Sequence, residues 1–239
     1  AVRLAQDAGF GNISVDLIYG VPAPDHGIWA QDLAQAFALE VPHLSCYTLT
    51  VEPDTVFGRG LQKGTFRPPP DEFVARQFER LLSETSHHGY EQYEISNFCR
   101  PGHESRHNAA YWRGVPYLGL GPSAHSFNGV SRQHTLANNP RYVAAVLEAR
   151  VVPATVEVLT PTDRANEYLM TSLRTARGTD LRHLRTVLGV DLPGRRAEYL
   201  HYLQANGWAV LSAADVLTLT DKGQLLADQI TLELFQAPE

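Results

Sequence analysis

The run NISVDLIY, Asn12–Tyr19, passes directly into Gly20-Val21-Pro22, and this stretch decides how the rest of the chain is read. Its β-branched and apolar residues predict a short strand, and the glycine and proline close it with a turn. Two runs of similar character follow, His43–Thr50 (HLSCYTLT) and Tyr90–Phe98 (YEQYEISNF). Helical patterns separate them. Ile28–Leu39 places Trp29, Leu33, Ala36 and Phe37 on one face, and Asp71–His88 carries Phe73, Val74, Phe78, Leu81 and Leu82 before Gly89 stops it. Strands alternating with helices of about a dozen residues or more predict a parallel sheet built of βαβ units. Ala1–Phe10 (AVRLAQDAGF) reads as a helix without a cap, so the rhythm extends backwards and earlier strands are expected in the same sheet. Residues 1–100 therefore read as the second half of a β/α barrel or partial barrel. With no initiator Met and no signal peptide, the sequence reads as a piece of a longer protein.

A length of 239 residues is about 1.6 typical domains, which predicts one large domain or a large and a small one. The net charge of −6 removes any general attraction to nucleic acid or anionic lipid, so no direct contact with either is expected. Hydrophobic residues at 44% and charged residues at 19% make an ordinary globular mix rather than a disordered chain. No apolar run approaches the roughly 18 residues of a membrane span. Only two cysteines occur, Cys46 and Cys99, far apart. That count excludes a disulfide framework, a four-cysteine zinc site and a self-contained iron–sulfur cluster, and it points to a reducing cytoplasm. Each cysteine reads as a small buried residue.

Residues 99–130 change character: Pro, Gly, His, Arg and Asn alternate with aromatics up to GLGPSAHSF. A polar, glycine-rich loop of about 30 residues exceeds an ordinary connector and reads as functional. Beyond it the chain turns helical, over Tyr142–Ala149, Pro161–Arg174 and Asp180–Leu188. A helix, Gly207, a strand pair around Ala209–Leu219 and a last helix over Asp221–Phe235 follow, the pattern of a small winged-helix-like module. The division expected is 1–130 for the partial barrel with its loop and 131–239 for the helical part. Between Arg195 and Lys222 the acidic residues balance the basic ones, so docking or packing is expected there rather than groove binding.

Chemistry in parallel barrels gathers at the C-terminal ends of strands. Asp16 is the one acidic residue of the first strand; it reads either as a carboxylate for ribose hydroxyls or as a structural charge. His103-Glu104-Ser105-Arg106-His107 spells the H-E-x-x-H of zinc hydrolases, but Pro101-Gly102 before it and Arg106 within it argue against the helix that motif needs. The same stretch continues as His107-Asn108-Ala109-Ala110-Tyr111-Trp112. An imidazole, an amide, a phenol and an indole within six residues, flanked by Arg106 and Arg113, would suit a macrocycle with an iron centre and acidic edges. The plain alternative is a surface loop pinned by two aromatics. Gly119 and Gly121 allow close backbone approach near His125. As ligands to such an iron the order is His107, then His125, then His103.

The strings VDLIYGVP (Val15–Pro22), YEQYEISNFCRPGHESRHNAAYW (Tyr90–Trp112), YLGLGPSAHSF (Tyr117–Phe127) and LTDKGQLLADQI (Leu219–Ile230) closely resemble one family. They are similar to the oxygen-independent coproporphyrinogen III oxidase-like radical-SAM proteins of porphyrin biosynthesis, and specifically to their haem-chaperone branch, called HemW. The resemblance runs through nearly the whole chain, and H-N-x-x-Y-W is its most specific part. It implies an α/β fold, the C-terminal half of a radical-SAM partial β/α barrel followed by a winged-helix-like domain. It also implies haem, S-adenosylmethionine and a 4Fe–4S cluster in the intact protein. By that resemblance Asp16 and Thr50 are S-adenosylmethionine contacts, His107, Asn108, Tyr111 and Trp112 form the haem motif, and His125 lines a second ligand pocket. The family's C-x-x-x-C-x-x-C loop has no counterpart here, so no cluster ligands are expected in this chain. The function expected is a haem chaperone passing haem or porphyrin to an acceptor protein; the alternative is a coproporphyrinogen III dehydrogenase. The expected partners include the upstream half of the same protein or a second copy.

Overall fold

The computed structural model describes residues 1–237. By compactness the chain divides into two units, Ala1–Ser105 and the part from Arg106 onward. The division expected at residue 130 falls instead in the turn of a hairpin, because residues 106–130 pack with the helical part.

In the first unit, α1 (Val2–Asp7) leads to β1 (Ser14–Tyr19), α2 (Gly27–Ala38), β2 (His43–Thr48), α3 (Val56–Gln62), α4 (Asp71–His87), β3 (Glu91–Glu94) and β4 (Asn97–Cys99). The sheet order is β1-β2-β4-β3. β1 and β2 are parallel, as the sequence predicts, with Asp16 opposite Ser45. The third predicted strand is corrected: Tyr90–Phe98 is a tight hairpin, and its second arm β4 runs antiparallel to β2. The cause is Glu94. Its carboxylate accepts from the Ser96 N–H at 3.1 Å and from Asn97 Nδ2 at 2.7 Å, which turns the chain where apolar patterning alone reads on. The sequence reading also passed over α3, whose Thr55 cap accepts from the Gly58 N–H.

Alternation along β1 and β2 splits the sheet into two faces. Leu44 and Phe98 join Tyr19, Trp29, Leu33, Phe37, Phe78 and Leu81 in the core beneath α2 and α4. Buried Gln77 of α4 ties this core to the end of β1. Its side-chain oxygen accepts from the Gly20 N–H at 2.7 Å, and its carbonyl accepts from Trp29 Nε1 at 3.0 Å. Gly20 itself sits at φ +74°, where a side chain would be strained.

The second unit opens with α5 (Arg106–Trp112), then β5 (His125–Phe127), β6 (Ser131–Thr135), α6 (Asn139–Leu147) and β7 (Ala154–Val158). β5, β6 and β7 form an antiparallel sheet in that order. Neither β6 nor β7 is legible in the sequence. Ser-Arg-Gln-His-Thr offers almost no apolar signal, and every residue of β7 is exposed. There follow α7 (Pro161–Ser172), β8 (Thr179–Asp180), α8 (Leu181–Thr186), α9 (Leu192–Ala205), β9 (Ala209–Leu211), β10 (Val216–Leu219), α10 (Asp221–Gln224) and α11 (Ala227–Leu234). A Thr160–Asp163 capping box starts α7. The β9–β10 hairpin with β8 at its side follows two helices, which is the winged-helix-like arrangement expected. Leu169, Leu173, Leu184, Leu192, Leu203, Leu217, Ile230 and Leu234 form its core. Among the described residues no helix is long and apolar enough to cross a membrane.

Two predictions come from the first unit. Burial holds the Cys46 thiol up at about 12 and the Cys99 thiol up at about 11. Both should ignore a thiol reagent in the native protein at mildly alkaline pH, and both should react once the protein is unfolded; rapid labelling of the native state would contradict this. His43 is buried and its imidazole is held below the usual 6.5, burial outweighing the opposing pull of Asp16. The fold favours neutral His43, so its contribution is complete above about 6.5 and is lost as pH falls below that value. Thermal melts should show a stability loss on acidification that is shallower in His43→Gln; an identical slope would refute the assignment.

Candidate functional site

Each unit holds its own set of candidate residues. On the face of the first sheet opposite α2 and α4, the register lines up Asp16, Ser45, Asn97 and Glu94 across four strands. Glu94 is 1% exposed and Asn97 2%, while Asp16 is exposed at the free edge strand. One step back along the strands, His43 Nδ1 lies 2.8 Å from Ser14 Oγ and its Nε2 lies 2.8 Å from the Tyr93 hydroxyl. The outcome is a polar face with an ionisable group at its rim, not a second apolar core. Thr50, named with Asp16, lies two residues past the end of β2 and is exposed. The sequence reading singled out Asp16 and missed Ser45, Asn97, Glu94 and His43. A signal existed: His43, Ser45 and Tyr47 alternate with Leu44 and Cys46, the period of a strand with one polar face.

The two cysteines do not fit a cluster. Cys46 packs on the helix-covered face, whereas Cys99 pairs with His43 on the polar face. Thiols on opposite faces of a sheet, each held protonated by burial, cannot share an iron site. No group of three His, Cys, Asp or Glu side chains able to hold a metal ion occurs among the described residues. The H-E-x-x-H string does not lie on one helix. Its helix starts only at Arg106, so His103 and Glu104 lie outside it.

In the second unit, α5 carries the whole of His107-Asn108-Ala109-Ala110-Tyr111-Trp112. His107 and Tyr111, four residues apart, share a helix face, and their rings meet edge-on at 4.8 Å. Tyr111 meets Tyr117 at 4.7 Å, and Tyr117 meets Phe127 of β5 at 6.2 Å. The backbone fixes the last contact: Tyr117 N–H donates to Phe127 O at 2.8 Å, and Phe127 N–H returns a bond at 2.9 Å. Arg132 lies 5.8 Å over the Phe127 ring and pairs with Glu167 of α7 at 2.9 Å. His125 shares Phe127's face of β5, since the two are separated by one residue. His107, Tyr111 and His125 are exposed; Asn108 and Trp112 are half-buried.

Trp112 takes a different part. One residue beyond Tyr111, it is rotated about 100° around the helix. Arg174 sits 5.7 Å over its ring while pairing with Asp228 at 3.1 Å, and Trp112 Nε1 is buried with no hydrogen-bond partner. Tyr111 and Trp112 therefore do not stand as one wall beside His107.

Gly119 sets the spacing of the loop. A Cβ there would lie 2.1 Å from the His125 carbonyl oxygen, so only glycine allows the loop to lie against β5. Its N–H donates to Ser126 Oγ at 3.0 Å. Alternation then sends Leu118 and Leu120 outward, 78% and 84% exposed.

Residues 159–226 match the HemN C-terminal domain family. The chain is 32% identical to the "Heme chaperone HemW" of Bacillus subtilis (strain 168) over 226 residues, which is 95% of this chain and 59% of that protein. It is 36% identical to the protein of the same name from a Synechocystis species over 179 residues, 74% of this chain and 43% of that one. The fold is shared with the coproporphyrinogen III oxidase HemN of Escherichia coli, described as a radical-SAM enzyme. There the TM-score is 0.73 at 20% identity, over 98% of this chain and 57% of the other. Residues 159–226 thus match the HemN C-terminal domain family, and nearly the whole chain is similar to the HemW haem chaperones while spanning rather more than half the length of the Bacillus relative.

Proposed function

We propose that the second unit handles haem, as cargo, for a haem chaperone that passes it to an acceptor protein. The observation that carries this reading is the unbroken line of rings from exposed His107 through Tyr111 and Tyr117 to Phe127, with His125 on the same strand face. A neutral imidazole at the end of such a line can ligate haem iron, while ring faces and edges pack against the macrocycle. Arg106 and Arg113, at the two ends of α5, offer guanidinium groups to the propionates. Exposed Leu118 and Leu120 add apolar surface beside His125. The names of the relatives support the same reading.

For the first unit, the proposal is that exposed Asp16 accepts the ribose hydroxyls of S-adenosylmethionine and that Thr50 contacts the same nucleoside. No step through an iron–sulfur cluster is assigned to these residues, because Cys46 and Cys99 do not fit one.

Ferric haem titrated into the protein should give a Soret band with about one equivalent bound. His107→Ala should weaken or shift that band, and His87→Ala, on α4, should leave it unchanged. Tyr111→Ala should weaken binding by about 1 kcal/mol, the usual scale of an aromatic contact. Trp112→Ala should act mainly on stability, because its ring packs under Arg174. Parent-like haem binding by both His107→Ala and His125→Ala would overturn the proposal.

A further inference from the structure

His134 was not among the candidate residues, yet the fold places it beside one of them. β5 and β6 pair antiparallel with His125 opposite His134. Thr135 N–H donates to the Ala124 carbonyl at 2.9 Å, which makes the neighbouring His125–His134 pair a non-hydrogen-bonded one. At such positions facing Cα atoms approach to about 4.5 Å and the side chains leave the sheet in parallel. The two rings are 5.8 Å apart at 30° to one another. Both are exposed, and neither makes a hydrogen bond within the described residues.

We propose that His125 and His134 form a two-imidazole clamp for a divalent first-row transition ion such as Cu²⁺, Ni²⁺ or Zn²⁺. With metal–nitrogen bonds of about 2.0 Å, two imidazoles on one ion have ring centroids about 5 Å apart at the tetrahedral angle of Zn²⁺ and about 4.5 Å apart at the right angle of tetragonal Cu²⁺. The observed 5.8 Å is longer than either, and side-chain rotation of the two exposed rings closes the difference. Imidazole nitrogen is a suitable donor for these ions, and affinity should be greatest for Cu²⁺. Among the described residues no third His, Cys, Asp or Glu completes the set. Water fills the other positions, and the ion is labile. A porphyrin already occupies the four equatorial positions of its iron, so imidazoles standing side by side cannot both ligate one haem. The clamp therefore does not rest on the haem proposal.

Another close imidazole pair, His87 and His88 at 5.5 Å, is a poorer chelate. The His88 ring is stacked on Phe37 at 3.9 Å, and its Nδ1 lies 2.8 Å from the Glu84 carbonyl. Binding through Nδ1 would break its hydrogen bond, and turning the ring to bring Nε2 beside His87 would break the stack.

The test is titration of the full chain with Cu²⁺ alone, read by calorimetry and by electron spin-echo spectroscopy of the bound ion. The tightest site should hold one ion with two imidazoles in its echo modulation. His125→Ala and His134→Ala should each weaken that site by at least about tenfold, the lower end of what even an outer-shell loss costs a metal site. Each should also reduce the imidazole count to one. Both positions are exposed, and unchanged melting of the variants would show the fold intact. His87→Ala should leave the site as it is. Parent-like Cu²⁺ binding in either clamp variant, or loss of the site in His87→Ala, would overturn the proposal.

Discussion

The second unit depends on one close backbone approach, that of Gly119 to His125. With no side chain at 119, the loop after α5 lies against β5, and Tyr117 and Phe127 exchange backbone hydrogen bonds. That single bridge carries α5 and its ring-bearing residues to the sheet that holds His125. It also fixes alternation along 117–120, with Tyr117 turned inward and Leu118 and Leu120 turned to solvent. A larger residue at 119 would clash with a carbonyl rather than with a flexible side chain, so no rotamer change relieves it. The sequence alone showed the glycines but not this contact, because nothing local says which strand a loop will lie against.

In the first unit the organising constraint is the parallel register of β1 and β2. Placing Asp16 opposite Ser45 sends Tyr19, Leu44 and Cys46 to the helices and leaves Asp16, His43 and Ser45 on the other face. Glu94 and Asn97 extend that polar row through the hairpin that follows α4. The buried groups His43, Glu94 and Asn97 are each hydrogen-bonded, His43 to Ser14 and Tyr93 and Asn97 to Glu94. The face is therefore ordered by the protein's own contacts, with the exposed carboxylate of Asp16 at its rim.

Much of this was legible beforehand, and the failures share a physical pattern. β1, α2, β2 and α4 were read with ends close to those observed, because each has a strong apolar period and a turn signal after it. The same holds for α7, α9 and the β9–β10 hairpin. The strand predicted over Tyr90–Phe98 broke in two because Glu94 satisfies the backbone of a turn, a local hydrogen-bonding effect to which hydrophobic patterning is blind. β6 and β7 were missed because they are stabilised by pairing with each other rather than by burial. His134 was missed with them, since its significance lies in a cross-strand register. His107 and Tyr111 could be named from their spacing on a helix, but the path from Tyr111 to Phe127 could not.

The central claim is that haem is held by the second unit, against the rings of α5 and β5. Ferric haem is paramagnetic and broadens the resonances of nearby nuclei, so a two-dimensional NMR titration of the isotope-labelled protein tests the claim directly. The account predicts that broadening appears first at His107, Tyr111, Tyr117 and His125 and spares Asp16, Ser45 and Cys46 in the first unit. Broadening centred on the first unit, or haem binding that leaves α5 and β5 untouched, would contradict it.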